Sequence, residues 1–207
     1  AAEMFGSTFA YCSNLTGSIP SGLFGNISGA PATYMFRQTF YGCSNLKGPI
    51  PSGLFGNLTG APASYMFYET FYNCGNLTGP IPVGLFGAIS GAPAIYMFDS
   101  TFYGCGNLTG SIPSSLFGNI SGAPASYMFN STFQNCSNLT GSIPVGLFGA
   151  ISGAPAASMF RGTFYYCSNL TGSIPVGLFG AISGAPAASM FRGTFYYCSN
   201  LTGESAL

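Results

Sequence analysis

Apolar positions along this chain come in a fixed order, with polar or small residues between them. Over residues 35 to 63, Phe36, Phe40 and Cys43 fall at i, i+4 and i+7, which predicts a helical or 3₁₀ turn with one inward face. Leu46, Gly48 and Ile50 then alternate with Lys47 and Pro49, the period-two pattern of a short strand, and Pro51 ends it. Between Ser52 and Leu58, the placing of Leu54, Phe55 and Leu58 predicts one further helical or 3₁₀ turn. Gly60-Ala61-Pro62-Ala63 predicts the turn that returns the chain to the next methionine.

The whole order restarts at a fixed interval. Met4, Met35, Met66, Met97, Met128, Met159 and Met190 are each 31 residues apart, and the seven cysteines keep the same period. A constant period of about 20 to 50 residues signals a solenoid, a propeller or an array. One unit holds too few apolar groups to fold alone, whereas stacked units bury Met, Phe, Leu and Ile against their copies. The fold class predicted is a repeat solenoid, a single array over 1–203 with units starting at those methionines. At 204–207 the wording departs, which marks the end of the array or a truncation. The sixth unit and the seventh up to Gly203 are identical, a sign of recent duplication, so invariance means most in the earlier, more divergent units.

Charge narrows the function classes. Charged residues are 4% of the chain, against about 25% in ordinary globular proteins. Four basic and four acidic side chains cancel, so no electrostatic footprint for nucleic acid or an anionic membrane is present. Gly, Pro, Ser, Asn and Thr interrupt every apolar run, which excludes a spanning helix. There is no histidine and no glycine-rich phosphate loop ending in lysine. Glu69 and Asp99 in adjacent units form the minimum carboxylate pair of a glycosidase, but no recurring residues support them. The expectation is a non-enzymatic protein without cofactor or metal.

The run Phe71-Tyr72-Asn73-Cys74-Gly75-Asn76-Leu77, followed by Ile81-Pro82, resembles the BspA-like leucine-rich repeats of bacterial and protozoan surface proteins. Asn107 to Pro113, followed by Leu116, is similar to part of the plant-type leucine-rich repeat. The match recurs through essentially the whole chain in one register, although the unit is longer than the usual leucine-rich repeat of about 20 to 29 residues. The resemblance implies a right-handed coil with one short parallel strand and 3₁₀ or helical turns per unit. It also implies extracellular or cell-surface display, adhesion and binding. Partners in keeping with it are other copies of the chain, end to end or laterally, and host protein or glycan.

Several columns of equivalent residues carry candidate chemistry. Cys12, Cys43, Cys74, Cys105, Cys136, Cys167 and Cys198 read as a buried thiol ladder, because free cysteine packs as a small hydrophobe and stacked copies point their Cβ atoms the same way. Coil spacing alone would allow disulfides, while metal binding lacks Cys-x-x-Cys spacing or His partners. Asn14, Asn45, Asn76, Asn107, Asn138, Asn169 and Asn200 form a structural ladder or glycosylation acceptors. Asn45 keeps the asparagine while Lys47 removes the acceptor threonine, which favours the ladder. Asn26, Asn57 and Asn119, in a column that elsewhere carries alanine, are the better acceptors for glycan. The threonine column through Thr39 reads as hydroxyls satisfying backbone, or as a flat ice-binding row. The variable columns suit recognition: Tyr41, Tyr72, Tyr103, Tyr165 and Tyr196 offer flat apolar rings with polar tips, beside Arg37, Glu69, Asp99, Arg161 and Arg192. The same rings could equally shield the edge of the coil.

Overall fold

The computed structural model describes residues 1–203, and the departure of the wording at 204–207 lies outside them. The chain forms a parallel β-solenoid of about six turns, here numbered as coils 1 to 7 in the order of their methionines. Its main sheet has six parallel strands in the order β1 (Ser28–Gly29), β2 (Asn57–Gly60), β3 (Ala88–Gly91), β4 (Asn119–Gly122), β5 (Ala150–Gly153) and β7 (Ala181–Ile182). A second ladder pairs β6 (Gly172–Ser173) with β8 (Leu201–Thr202). In earlier coils that ladder is reduced to single bridges such as Gly17↔Leu46 and Gly48↔Leu77. Cα partners are 29 residues apart, as in Ser28↔Asn57, whereas side chains 31 apart lie over one another, as in Phe36 and Phe67. The two-residue offset means that the strands cross the stack obliquely.

No helix occurs among the described residues, and the expected helical or 3₁₀ turn at Phe36, Phe40 and Cys43 is corrected to a tape of nested turns. The amides at Met35, Arg37, Thr39, Tyr41 and Cys43 donate to the carbonyl three residues back. The intervening amides at Tyr34, Phe36, Gln38, Phe40 and Gly42 donate to Ser64, Met66, Tyr68, Thr70 and Tyr72 of the next coil, at 2.8 to 3.0 Å. A 3₁₀ helix would spend every interior amide inside its own coil and leave none for the neighbour. The tape shares them alternately, and it requires a positive φ at every fourth residue, Tyr34 (60°), Gln38 (55°) and Gly42 (69°). Side chains therefore emerge two in and two out: Met35, Phe36, Thr39, Phe40 and Cys43 are buried, while Tyr34, Arg37, Gln38 and Tyr41 lie on the outer surface. A period of four resembles 3.6 over so short a stretch, which is why the spacing read as helical.

The predicted strand is reduced. Leu46 to Ile50 contributes two isolated bridges, at Leu46 and Gly48, and its equivalents form a two-residue ladder only at β6 and β8, while the segment expected to form a second helical turn, Ser52 to Leu58, instead makes two tight turns and enters β2. Leu54 donates its amide to the Pro51 carbonyl and Gly56 to that of Gly53. Gly56, at φ 70°, passes so close to the previous coil that a Cβ there would overlap the Ile27 carbonyl oxygen; Gly87, Gly118, Gly149 and Gly180 stand in the same relation to their neighbours. Beyond that crossing, Asn57, Leu58 and Thr59 alternate exposed, buried, exposed.

Three columns of phenylalanine fill the interior. Phe67 stacks on Phe36 at 5.4 Å and on Phe98 at 5.6 Å, nearly parallel, and meets Phe55 and Phe86 of the third column at tilts of 58° and 49°. Phe71 stacks on Phe40 at 5.5 Å. Tilted contact between columns and offset stacking within them are both favourable arrangements of the ring quadrupole, each pair adding about 0.5 to 1.5 kcal/mol beyond burial.

Two glycine substitutions separate close approach from backbone preference. Gly118→Ala strikes the Ile89 carbonyl, whereas Gly84→Ala, at a similar positive φ of 68°, has nothing within 4 Å. Gly84→Ala should cost about 1 to 2 kcal/mol for the left-handed conformation alone. Gly118→Ala should cost clearly more, read as a larger drop in the urea midpoint.

Candidate binding face

The inward columns are closed by the backbone itself. Thr39 donates its hydroxyl to the Phe36 carbonyl at 2.9 Å and to that of Phe5, one coil back, at 3.0 Å; Thr70 reaches the Phe36 carbonyl at 2.9 Å. Each cysteine from Cys43 onward sends its thiol to a phenylalanine carbonyl of the previous coil, as Cys74 does to Phe40 at 3.0 Å and Cys105 to Phe71 at 3.0 Å. All seven cysteines are free, and all but Cys12 are buried. Burial pushes the Cys105 thiol up to about 12 and the Cys43 thiol to about 11, which suppresses the thiolate on which nucleophilic or metal chemistry depends. Among the described residues no group of three His, Cys, Asp or Glu is placed to hold a metal ion.

Asn45, Asn76 and Asn200 are exposed, yet their amides reach the backbone carbonyls of Ser13, Ser44 and Ser168 in the previous coil at 2.7 to 2.8 Å. The bonding runs from amide to backbone. Asn14, Asn107, Asn138 and Asn169 occupy the same exposed column. Asn26, Asn57 and Asn119 are exposed at or just before the main sheet, where the acceptor position is open to solvent.

The outward pairs of the tape form the candidate face. Tyr41, Tyr72 and Tyr103 stack at 4.7 and 4.5 Å with nearly parallel rings; Gln134 breaks the column, and Tyr165 and Tyr196 resume it at 4.8 Å. A second column, Tyr34, Tyr65, Tyr96 and Tyr127, stacks at 4.8, 4.7 and 4.5 Å. That column was missed in the sequence, although it keeps the 31-residue register and the change to Ser158 and Ser189 marks it as an outer position.

Between the tyrosine columns run the polar ones. Arg37 lies over the rings of Tyr34 and Tyr68, at 5.7 and 6.0 Å, a cation–π arrangement. Gln38 donates to the Glu69 carboxylate at 2.7 Å and accepts from Ser7 at 3.3 Å. Asp99 is buried and accepts from Ser100 at 2.7 Å and from the Asn130 amide at 3.0 Å. The other amide atom of Asn130, Oδ1, is buried without a partner. Glu69 and Asp99 thus fall in different columns, each engaged by a neighbouring amide. Arg161 and Arg192 stand exposed in coils 6 and 7. They border a cavity of about 320 Å³ with Ser131, Gln134, Gly162, Tyr165 and Gly193.

The geometry defines a parallel β-solenoid with an aromatic and polar outer face. No protein-family model, no curated protein and no solved structure matches the chain.

Asp99 generates a pH prediction. Burial raises its carboxyl to about 6, against the opposing pull of the Ser100 and Asn130 hydrogen bonds, with Glu69 adding to the rise and Arg161 opposing it. The folded state therefore holds this proton more tightly than the unfolded chain. The resulting stability is complete below about pH 4 and is lost as pH rises through about 6, a span of about 3 kcal/mol. Chemical denaturation at pH 4 and pH 7 should show this gain on acidification, and Asp99→Asn should remove it.

Proposed function

We propose that this chain is a non-enzymatic structural and adhesive repeat protein of leucine-rich-repeat type, displayed outside the cell or on its surface. In this reading the solenoid is a segment of a longer stalk or a unit that stacks end to end into a fibre. The leucine-rich assignment rests on the Phe-x-x-Cys-x-x-Leu and Ile-Pro wording of each unit.

The observation that carries the stacking is the one-way bonding between coils. Every coil donates tape amides to carbonyls of the next, so each edge repeats the donors or acceptors of an interior junction. Ser189, Phe191, Gly193, Phe195 and Tyr197 hold the donor positions of coil 7, and Ala2, Met4, Gly6, Thr8 and Ala10 the acceptor positions of coil 1. Another coil of the same wording, in the same polypeptide or in a second copy, continues the register. Phe5 and Phe9 at one edge and Phe179, Phe191 and Phe195 at the other are only partly buried, so stacking would cover apolar surface with little charge repulsion to oppose it.

Electron microscopy and fibre diffraction of the native material provide the test. Extended rods with an axial spacing of about 4.8 Å are expected. A charge in the edge core, Phe195→Asp, should shorten or abolish them, and compact monomers alone in the unaltered protein would overturn end-to-end stacking.

A second reading, recognition of host glycan or protein, is favoured by the continuous tyrosine stacks. Replacing Tyr72, Tyr96 and Tyr103 together by serine should weaken attachment of the protein to its target surface at least tenfold while leaving the solenoid folded, as circular dichroism would register. Undiminished attachment would remove this reading.

A further inference from the structure

The face is not uniform along its length. In coils 2 to 4 its charges are engaged: Arg37 lies over two tyrosine rings, Glu69 accepts from Gln38, and Asp99 is held by Ser100 and Asn130. Two coordinated changes open it in coils 6 and 7. The column that gives Arg37 its ring at Tyr34 carries Ser158 and Ser189, so Arg161 and Arg192 have no equivalent ring. The column that holds Gln38 and Glu69 carries Gly162 and Gly193, which removes the side chains that would cover the tape.

What remains is the cavity of about 320 Å³. Its lining contains two guanidinium groups and no carboxylate. The arginines belong to adjacent coils whose backbones are bonded, Gly162 donating to the Arg192 carbonyl at 2.9 Å. Ser131 and Gln134 supply a hydroxyl and an amide from coil 5, and Tyr165, stacked on Tyr196, supplies a ring. The floor is shaped for emptiness: a Cβ on Gly162 would come within 3.3 Å of both Gln134 Oε1 and Ser131 Oγ, and one on Gly193 within 3.4 Å of the Tyr165 ring. Two like charges side by side repel unless an anion lies between them, and guanidinium groups bind oxyanions in fixed two-point geometry.

We propose that this groove binds an acidic sugar, its carboxylate or sulfate group held between Arg161 and Arg192, its ring against Tyr165 and its hydroxyls at Ser131 and Gln134. An oxyanion that presents a pair of oxygens, as carboxylate and sulfate both do, suits the paired arginines, and an apolar ring face edged by hydroxyls suits tyrosine beside an amide and a hydroxyl. The inference deepens the recognition reading. The tyrosines substituted to test that reading lie in coils 3 and 4, outside the groove, so the two can fail separately.

Isothermal titration of the full chain with trigalacturonate, a sulfated trisaccharide, neutral maltotriose and inorganic sulfate tests it. Saturable binding of at least one acidic trisaccharide is expected, weakening as salt is raised, with maltotriose binding at least about tenfold more weakly. Arg161→Gln combined with Arg192→Gln should reduce the affinity about tenfold or more, the scale of losing a charge-assisted contact. Both side chains are exposed, so this variant keeps the fold. Lys47→Gln, a control that removes an exposed positive charge outside the face and the groove, should leave binding unchanged. Absence of saturable binding by both acidic sugars, equal affinity for maltotriose, an unaffected double variant, or inorganic sulfate binding as tightly as the trisaccharides would each overturn the proposal.

Discussion

The alternate sharing of backbone amides in the tape is the constraint from which the rest of this structure follows. One amide in two closes a turn within its own coil, and the next reaches across to the following coil, so neither the turn nor the stack is complete without the other. Forming such a tape puts a residue with positive φ at every fourth position, including tyrosines at Tyr34, Tyr65, Tyr96 and Tyr127, where a left-handed backbone costs about 1 to 2 kcal/mol each. That cost is tolerated because the alternative would leave buried amides and carbonyls without partners, at about 1 to 3 kcal/mol apiece.

The same constraint explains why threonine and cysteine stand inside an otherwise apolar core. The Phe36 carbonyl accepts the Thr39 amide, the Thr39 hydroxyl and the Thr70 hydroxyl, and the Phe40 carbonyl accepts the Cys43 amide and the Cys74 thiol. These side chains are small enough to lie between phenylalanine columns and carry a donor that reaches one coil back. Their regularity belongs to backbone satisfaction. A threonine row buried in this way offers no flat face to ice, and thiols spent on carbonyls while burial suppresses their ionisation are poor nucleophiles.

Variation is left to the outward pairs, where the backbone acts as a ruler and the residues differ from coil to coil. Coils 2 to 4 fill that ruler with tyrosines and internally engaged charges. Coils 6 and 7 replace a tyrosine by serine and a polar side chain by glycine, and so expose two arginines around a cavity. A surface of this kind varies coil by coil while the Met, Phe, Thr and Cys columns of the interior keep their wording.

The sequence by itself determined that the chain is a stack of repeated units and which apolar columns face inward. The 31-residue period in Met, Phe, Cys, Leu and Ile marks the positions that fill the hydrophobic core. The sequence also marked Arg37, Glu69, Arg161, Arg192 and the Tyr41 column as the outer edge, while Asp99, read as part of the same edge, is buried. What it misplaced was the conformation that carries these residues. Phe36, Phe40 and Cys43 lie at intervals that helix and tape satisfy equally, and the choice between them rests on hydrogen bonds to residues about 30 positions away. The longer strand lies at Asn57–Gly60, with only bridges left at Leu46 and Gly48, for the same kind of reason, because only the packed neighbour shows that Gly56 must slip past Ile27. Which charges are engaged was likewise decided in three dimensions, since the rings of Tyr34 and Tyr68 meet Arg37 from two levels of the stack.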